Sequence, residues 1–197
     1  MQTSTIFDYK LCQFHCNDNL FRTPELLASV EDIFKNQELD TSLNGHLIGQ
    51  GISTFGNSTQ DLLKTNGITP LIEWIKVQIL NAAEFLGHHG VQSVDLYQAF
   101  TNKLYPGCSG KVHNHTASGH GVVVFYFQQP QFGSELVLVK DGFIGADLEN
   151  FKDQDKHHLK VKQGDLIIHE TRTWHGVTVN NGSTPRIVFV FEYRYIK

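Results

Sequence analysis

A chain of 197 residues, 40% hydrophobic and 18% charged, suits one globular domain (1–197) with its own core rather than a disordered polymer. Its 20 acidic residues outnumber 16 basic ones, giving a net charge of -4, which argues against a nucleic-acid binder with a basic face. No apolar run approaches the roughly 20 residues that span a bilayer, no basic-then-apolar leader opens the chain, and Cys12, Cys16 and Cys108 lack the second pair of a zinc ribbon. A cytoplasmic protein with no membrane partner is therefore expected. The composition outlier is eleven histidines, which makes a metal site worth seeking.

The first twenty residues mix short β-like pieces with polar residues. Thr23-Pro24-Glu25 then predicts a helix start, with Thr23 as N-cap and Pro24 at the first helical position. Leu26, Leu27, Val30, Ile33 and Phe34 follow at helical spacing. Residues 41–58 are rich in Gly, Ser, Thr and Asn and read as a loop. Thr69-Pro70 opens a second helix, whose apolar stripe runs from Leu71 through Trp74, Ile75, Ile79, Ala82 and Ala83 to Leu86. Gly87 and Gly90 mark its end.

After residue 91 the period changes to two, with continuous apolar runs. Strands are predicted over 92–104, 111–115, 121–129, 135–140, 158–163, 165–170, 175–180 and 185–195. Residues 141–157 read as a solvated polar loop. A mainly helical lead-in (1–91) followed by eight short strands (92–197) predicts an α+β fold. Its core is a double-stranded β-helix, or jelly-roll barrel, with N-terminal buttressing helices.

Two segments about sixty residues apart carry the chemistry. The first is Gly107-Cys-Ser-Gly-Lys-Val-His113-Asn-His115; the second is Gly164-Asp-Leu-Ile-Ile-His-Glu-Thr-Arg-Thr-Trp-His175, with Arg186 eleven residues further on. Histidines at i and i+2 of an extended segment point to the same side. A third histidine from a distant strand, behind the Gly164-Asp165 turn, completes a three-nitrogen metal face. Imidazoles alone do not choose among Fe, Zn, Cu and Ni. Arg186 precedes the apolar run Ile-Val-Phe-Val-Phe, where a cation is costly to bury unpaired. A bound carboxylate would resolve that cost through charge-assisted bonds, whereas an edge position in water would need no partner.

These motifs resemble the 2-oxoglutarate/Fe(II)-dependent oxygenases, in particular the small ones of marine bacteria and phages. The residues carrying the resemblance are His113-Asn-His115-Thr-Ala-Ser-Gly, the Gly164-Asp-Leu turn with Trp174-His175-Gly-Val, and Arg186-Ile-Val-Phe-Val-Phe-Glu-Tyr. The resemblance covers most of residues 55–195 and is strongest after 98. It implies Fe(II) held by His113, His115 and His175, 2-oxoglutarate chelating that iron, and Arg186 holding the distal carboxylate. Tyr126 and Asn102 are candidate donors to the same cosubstrate, or else ordinary core and cross-strand partners. The implied activity is a dioxygenase hydroxylating a small-molecule or peptide substrate, with release of succinate and CO2.

Two positions depart from the pattern. His115 stands where most such oxygenases carry Asp or Glu, and Val188 stands where a serine usually follows the arginine. His120 is an alternative third ligand, and Arg194 a weaker alternative to Arg186. His169 is assigned to packing or the surface, although its strand also allows an inward direction. His88-His89 and His157-His158 are expected to be exposed. Trp174 is expected to pack the corner, and Glu170 and Arg172 to support the site or pair with each other. Two other readings remain. One is a three-His cupin-type enzyme without 2-oxoglutarate, lacking the glutamate and Pro-x-Gly of the cupin motifs. The other is a jelly roll that binds a ligand or plays a structural role without catalysis. A homodimer is the base-rate expectation for assembly.

Overall fold

The computed structural model describes residues 1–35, 47–49, 51–55, 62–116 and 119–197. Strands β1 (Gln2–Ile6) and β2 (Tyr9–His15) form a hairpin, followed by helix α1 (Pro24–Lys35). Then come β3 (Leu47–Ile48), β4 (Gly51–Ser53) and helix α2 (Thr69–Ala83). The remaining strands are β5 (Ser93–Leu104), β6 (Ser109–His113), β7 (Gly121–Gln128), β8 (Leu136–Val139), β9 (Lys156–Leu159), β10 (Asp165–Glu170), β11 (His175–Val177) and β12 (Arg186–Ile196). They pair into a seven-stranded sheet, β1-β2-β10-β7-β12-β5-β4, and a five-stranded sheet, β3-β6-β11-β8-β9, every pairing antiparallel. This is the expected double-stranded β-helix, with both helices on the outer face of the larger sheet.

The run Val122-Val-Val-Phe-Tyr-Phe127 is buried throughout because its sheet is covered on both faces. Val123, Phe125 and Phe127 pack with Phe189 and Phe191 against Leu26, Val30 and Phe34 of α1 and Leu71, Ile75 and Ile79 of α2. These helical positions recur every three to four residues, which puts each apolar stripe on one side. Val122, Val124 and Tyr126 point the other way, into the barrel, beside Val188, Val190, Leu136 and Leu138. The same alternation places Arg186 and Glu192 on the inner row of β12 and Ile167 and His169 on that of β10. Thr23 caps α1 as expected, its Oγ1 accepting the Leu26 N–H at 3.3 Å.

Two expectations are corrected. The 41–58 stretch is not all loop: β3 pairs with β6 and β4 with β5, while residues 41–46, 50 and 56–58 lie outside the described residues. These strands have only two and three residues, too short for period-two patterning to register. The 141–157 stretch contains two 3-10 turns, Leu148–Asn150 and Asp153–Asp155, and its last two residues, Lys156 and His157, already belong to β9. Among the described residues no helix is long and apolar enough to cross a membrane.

Candidate functional site

His113 ends β6 and His175 begins β11, and the two strands pair with these residues as direct partners. Gly107, at φ +83°, makes the turn that launches β6, a backbone region that disfavours side chains bearing a Cβ. Gly164, at φ +84°, does the same before β10. Its N–H reaches the Tyr126 carbonyl and its own carbonyl accepts the Cys16 N–H, both at 2.8 Å, so the corner leading to His175 is tied on two sides. His115 lies two residues past His113, its N–H held by the Thr171 carbonyl at 2.8 Å.

The three imidazoles converge. One ligand atom from each of His113, His115 and His175 lies within 4.8 Å of the others. Nδ1 of His113 donates to the Lys111 carbonyl and Nδ1 of His175 to the Thr173 carbonyl, each at 2.9 Å. A carbonyl only accepts, so the proton sits on Nδ1 and the lone pair on Nε2, the tautomer that binds a metal through Nε2. Nδ1 of His115 instead donates to a carboxylate oxygen of Glu192 at 3.0 Å. Burial holds His175 well below the usual histidine range, and the neighbouring His113, His169 and His115 push in the same direction. A neutral imidazole is the ligating form.

The three candidate cosubstrate residues come from neighbouring strands of the larger sheet. Val188 of β12 faces Asn102 of β5 on one side and Tyr126 of β7 on the other, so all three share one cross-strand row. Arg186 lies one pleat along, its guanidinium 5.1 Å from the centroid of the Tyr126 ring. Arg186 is buried, and burial lowers its pKa from the ordinary arginine value. Among the described residues no carboxylate pairs with it. Among the described residues its Nε, the Tyr126 hydroxyl and the Asn102 Oδ1 are all buried without a hydrogen-bond partner; the hydroxyl sits beside the guanidinium but outside bonding geometry. Asn102 and Arg186 border one space, and their orphaned atoms carry a desolvation cost that a bound polar ligand would relieve.

That space is a cavity of about 260 Å³ bordered by Asn102, His113, His115, Arg186 and Glu192, with Leu47, Phe55 and Ile144 nearer the outside. A smaller recess of about 50 Å³ continues inward from the same polar residues, bordered by His175, Val124, Leu136, Val188 and Val190. The cavity is thus polar where the histidines and Arg186 meet and apolar elsewhere, the usual composition of a small-molecule site.

Other expectations are corrected or placed. His120 is exposed and does not join the triad: its Nδ1 accepts the Tyr195 N–H at 3.0 Å, and its ring meets His88 and Tyr195. His88 is accordingly half-buried rather than exposed, whereas His89, His157 and His158 are exposed. Arg194 is on the surface, paired with Asp95 at 2.8 Å. Trp174 packs at the corner with Val112, Val137 and Val139, and Glu170 pairs with Arg172 at 3.3 Å. His169 is neither a surface nor a plain packing residue. It is fully buried, its ring is 4.9 Å from that of His175, and its Nε2 has no hydrogen-bond partner among the described residues. Burial pushes it down to about 4, so it is neutral.

Glu192 is the site residue that sequence reasoning misses. Its signal is period two: residues 186, 188, 190 and 192 share one face of β12, so a carboxylate stands in the same inner row as Arg186.

No family model matches the chain, and no curated protein matches it. Solved structures do resemble it in fold. A prolyl-4-hydroxylase from Pseudomonas putida superposes with a TM-score of 0.59 at 16% identity, over 95% of this chain and 93% of that one. A prolyl hydroxylase from Trichoplax adhaerens, in complex with a hypoxia inducible factor oxygen degradation domain peptide fragment, gives 0.59 at 14%, over 93% and 83%. The viral collagen prolyl hydroxylase of Paramecium Bursaria Chlorella virus-1, in its 2-oxoglutarate complex, gives 0.56 at 12%, over 93% and 94%. At these identities the likeness establishes a shared fold.

Proposed function

We propose that this chain is an Fe(II)- and 2-oxoglutarate-dependent dioxygenase that hydroxylates a small-molecule or peptide substrate. The observation that carries the reading is the sharing of one cavity by three converging imidazoles and a buried arginine that has no ion-pair partner among the described residues. The solved structures of the same fold include a 2-oxoglutarate complex and a peptide complex, and both ligands are transferred here as part of the proposal. The residues present fit both groups. Three neutral nitrogens suit Fe(II), and the orphaned donors of Tyr126 and Arg186 suit a carboxylate.

When bound, the iron and the keto acid supply oxygen activation, with the keto acid oxidised to succinate and CO2 as the substrate is oxidised. Everything else is the work of the chain. His113, His115 and His175 would hold the metal. Their Nδ1 bonds to Lys111, Glu192 and Thr173 fix the ring orientations. Arg186 would fix the far carboxylate, assisted by the Tyr126 hydroxyl. Val124, Leu136, Val188 and Val190 keep water from the inner recess. Leu47, Phe55 and Ile144 border the outer cavity where substrate would enter.

The test is an anaerobic titration with Fe(II) and 2-oxoglutarate, watching for the visible charge-transfer band of the chelate. We expect a band that is lost in His175→Ala and weakened in Arg186→Ala. Iron binding without the band would favour the three-His cupin-type enzyme, and no iron binding would favour a non-catalytic barrel.

A further inference from the structure

Facial sites for non-haem iron in oxygenases commonly use two histidines and one carboxylate. Here all three converging ligands are neutral, so Fe(II) with doubly anionic 2-oxoglutarate would sum to zero, one negative charge short of a carboxylate-bearing site. A carboxylate nevertheless stands directly behind one of these ligands. Glu192 accepts the Nδ1 proton of His115 at 3.0 Å, with both side chains largely withdrawn from water. Its other oxygen accepts the Tyr97 hydroxyl at 3.2 Å, and that hydroxyl in turn accepts the Gly119 N–H at 2.6 Å. Nδ1 of His113 and Nδ1 of His175 each donate to a backbone carbonyl, whereas Nδ1 of His115 donates to a formal charge.

We infer that Glu192 is the charge-compensating positioning residue of the metal site, delivering through the His115 imidazole the negative charge that a ligating carboxylate would supply. The inference rests on the metal reading above and adds to it a role for a residue 77 positions away in sequence. The physical route is short. A carboxylate accepting from Nδ1 draws the proton away and gives the ring imidazolate character, so Nε2 becomes a stronger donor to a cation. Tyr97, itself held by the Gly119 N–H, fixes the second carboxylate oxygen while the first stays on His115. The inner row of β12 makes the arrangement economical: one strand carries Arg186 for an anion and Glu192 for the cation.

The test is metal affinity of the apo chain, measured anaerobically by chelator competition with Fe(II) and with Co(II). Glu192→Gln keeps the shape and the hydrogen-bonding capacity but removes the charge. We expect it to weaken metal binding about 10–100-fold, the range for loss of a partner behind a ligand. A structural role would weaken binding regardless of what occupies position 115. In a His115→Asp background the carboxylate lies directly at the metal, so adding Glu192→Gln should leave affinity unchanged within about twofold, or raise it. Should His115→Asp not fold, the Nδ1 proton of His115 in the Zn(II)-loaded protein serves instead. It should resonate downfield of those of His113 and His175, and move into their range in Glu192→Gln. Wild-type affinity in Glu192→Gln, an equal loss in the His115→Asp background, or an unmoved proton would overturn the inference and leave the proposed function standing. A wild-type chain that binds no metal would overturn both.

Discussion

Arg186→Met separates the cost of a functional group from its use. Arg186 is 3% exposed, has no ion-pair partner among the described residues, and stacks on Tyr126. Methionine keeps most of the volume and removes the charge. Replacing buried charge by an apolar group of similar size gains roughly 1–4 kcal/mol, while the lost contact with the Tyr126 ring costs about 0.5–2 kcal/mol. The ligand-free protein should therefore gain stability, by a net amount centred near 1 kcal/mol. For a chain of this length that is a rise in Tm of roughly 2–4 °C. Binding moves oppositely. Removing one partner of a buried charge pair costs about 2–5 kcal/mol, which is about 30- to 5,000-fold in the Kd for 2-oxoglutarate. Thermal unfolding of the metal-free chain and calorimetric titration of the Co(II)-loaded chain measure the two effects. A variant that unfolds several degrees earlier and still binds 2-oxoglutarate like wild type would refute the assignment of Arg186 as an anion clamp.

Tyr126→Phe removes a buried hydroxyl with no hydrogen-bond partner, so the ligand-free chain should lose no stability; 2-oxoglutarate affinity should fall about 10- to 150-fold, the worth of a hydrogen bond to a charged group. Burial lifts the Cys12 and Cys16 thiols to about 11, so neither should react with a disulfide reagent at pH 8 until the chain is denatured. Because the folded state holds these protons more tightly than the unfolded one, stability should be full below pH 9 and decline as pH rises towards 11, as read from denaturant melts across that window. Phe189→Ala empties the middle of the outer core, where the ring lies 4.9 Å from Phe127 and 6.1 Å from Phe125; it should cost about 3–5 kcal/mol in chemical denaturation, independently of any ligand.

The longer barrel strands are legible because they combine β-rich apolar residues with a Gly or polar boundary, and β7 and β12 match their predicted ranges closely; β9, Lys156-His-His-Leu159, has no such run and overlaps the predicted 158–163 only at its end. The helices are legible from Thr23-Pro24 and Thr69-Pro70 and from stripes that recur with the helical period. The β1–β2 hairpin is only half visible. Its two-residue turn places Phe7 at φ +51° and Asp8 at +66°, a geometry normally signalled by Asn-Gly or Asp-Gly. With a phenylalanine in that position, the local pattern does not announce a turn. Pairing with β10 is what selects the conformation, and that partner lies some 150 residues away.

The candidate site divides along the same line. His113 and His115 are neighbours in sequence, and His175 carries a local turn motif, so a pattern search reaches them. Asn102, Tyr126 and Arg186 meet only because β5, β12 and β7 are adjacent in that order, a pairing that strand periodicity does not specify. Glu192 and His169 require one more piece of information: which face of their strand points inward. Period two supplies two alternatives, and a single anchored residue decides between them. Once Arg186 is read as facing the cavity, Val188, Val190 and Glu192 follow without further data, and a carboxylate on that row must have a partner. For His169 the anchor is Ile167, whose inward direction becomes known only when the second sheet is in place. The histidines of the candidate metal site are therefore the easiest to find in this sequence. The residues that set the charge and packing around it become visible only when strand order has been established, and Glu192 behind His115 is the case in which that order changes the chemistry assigned to the site.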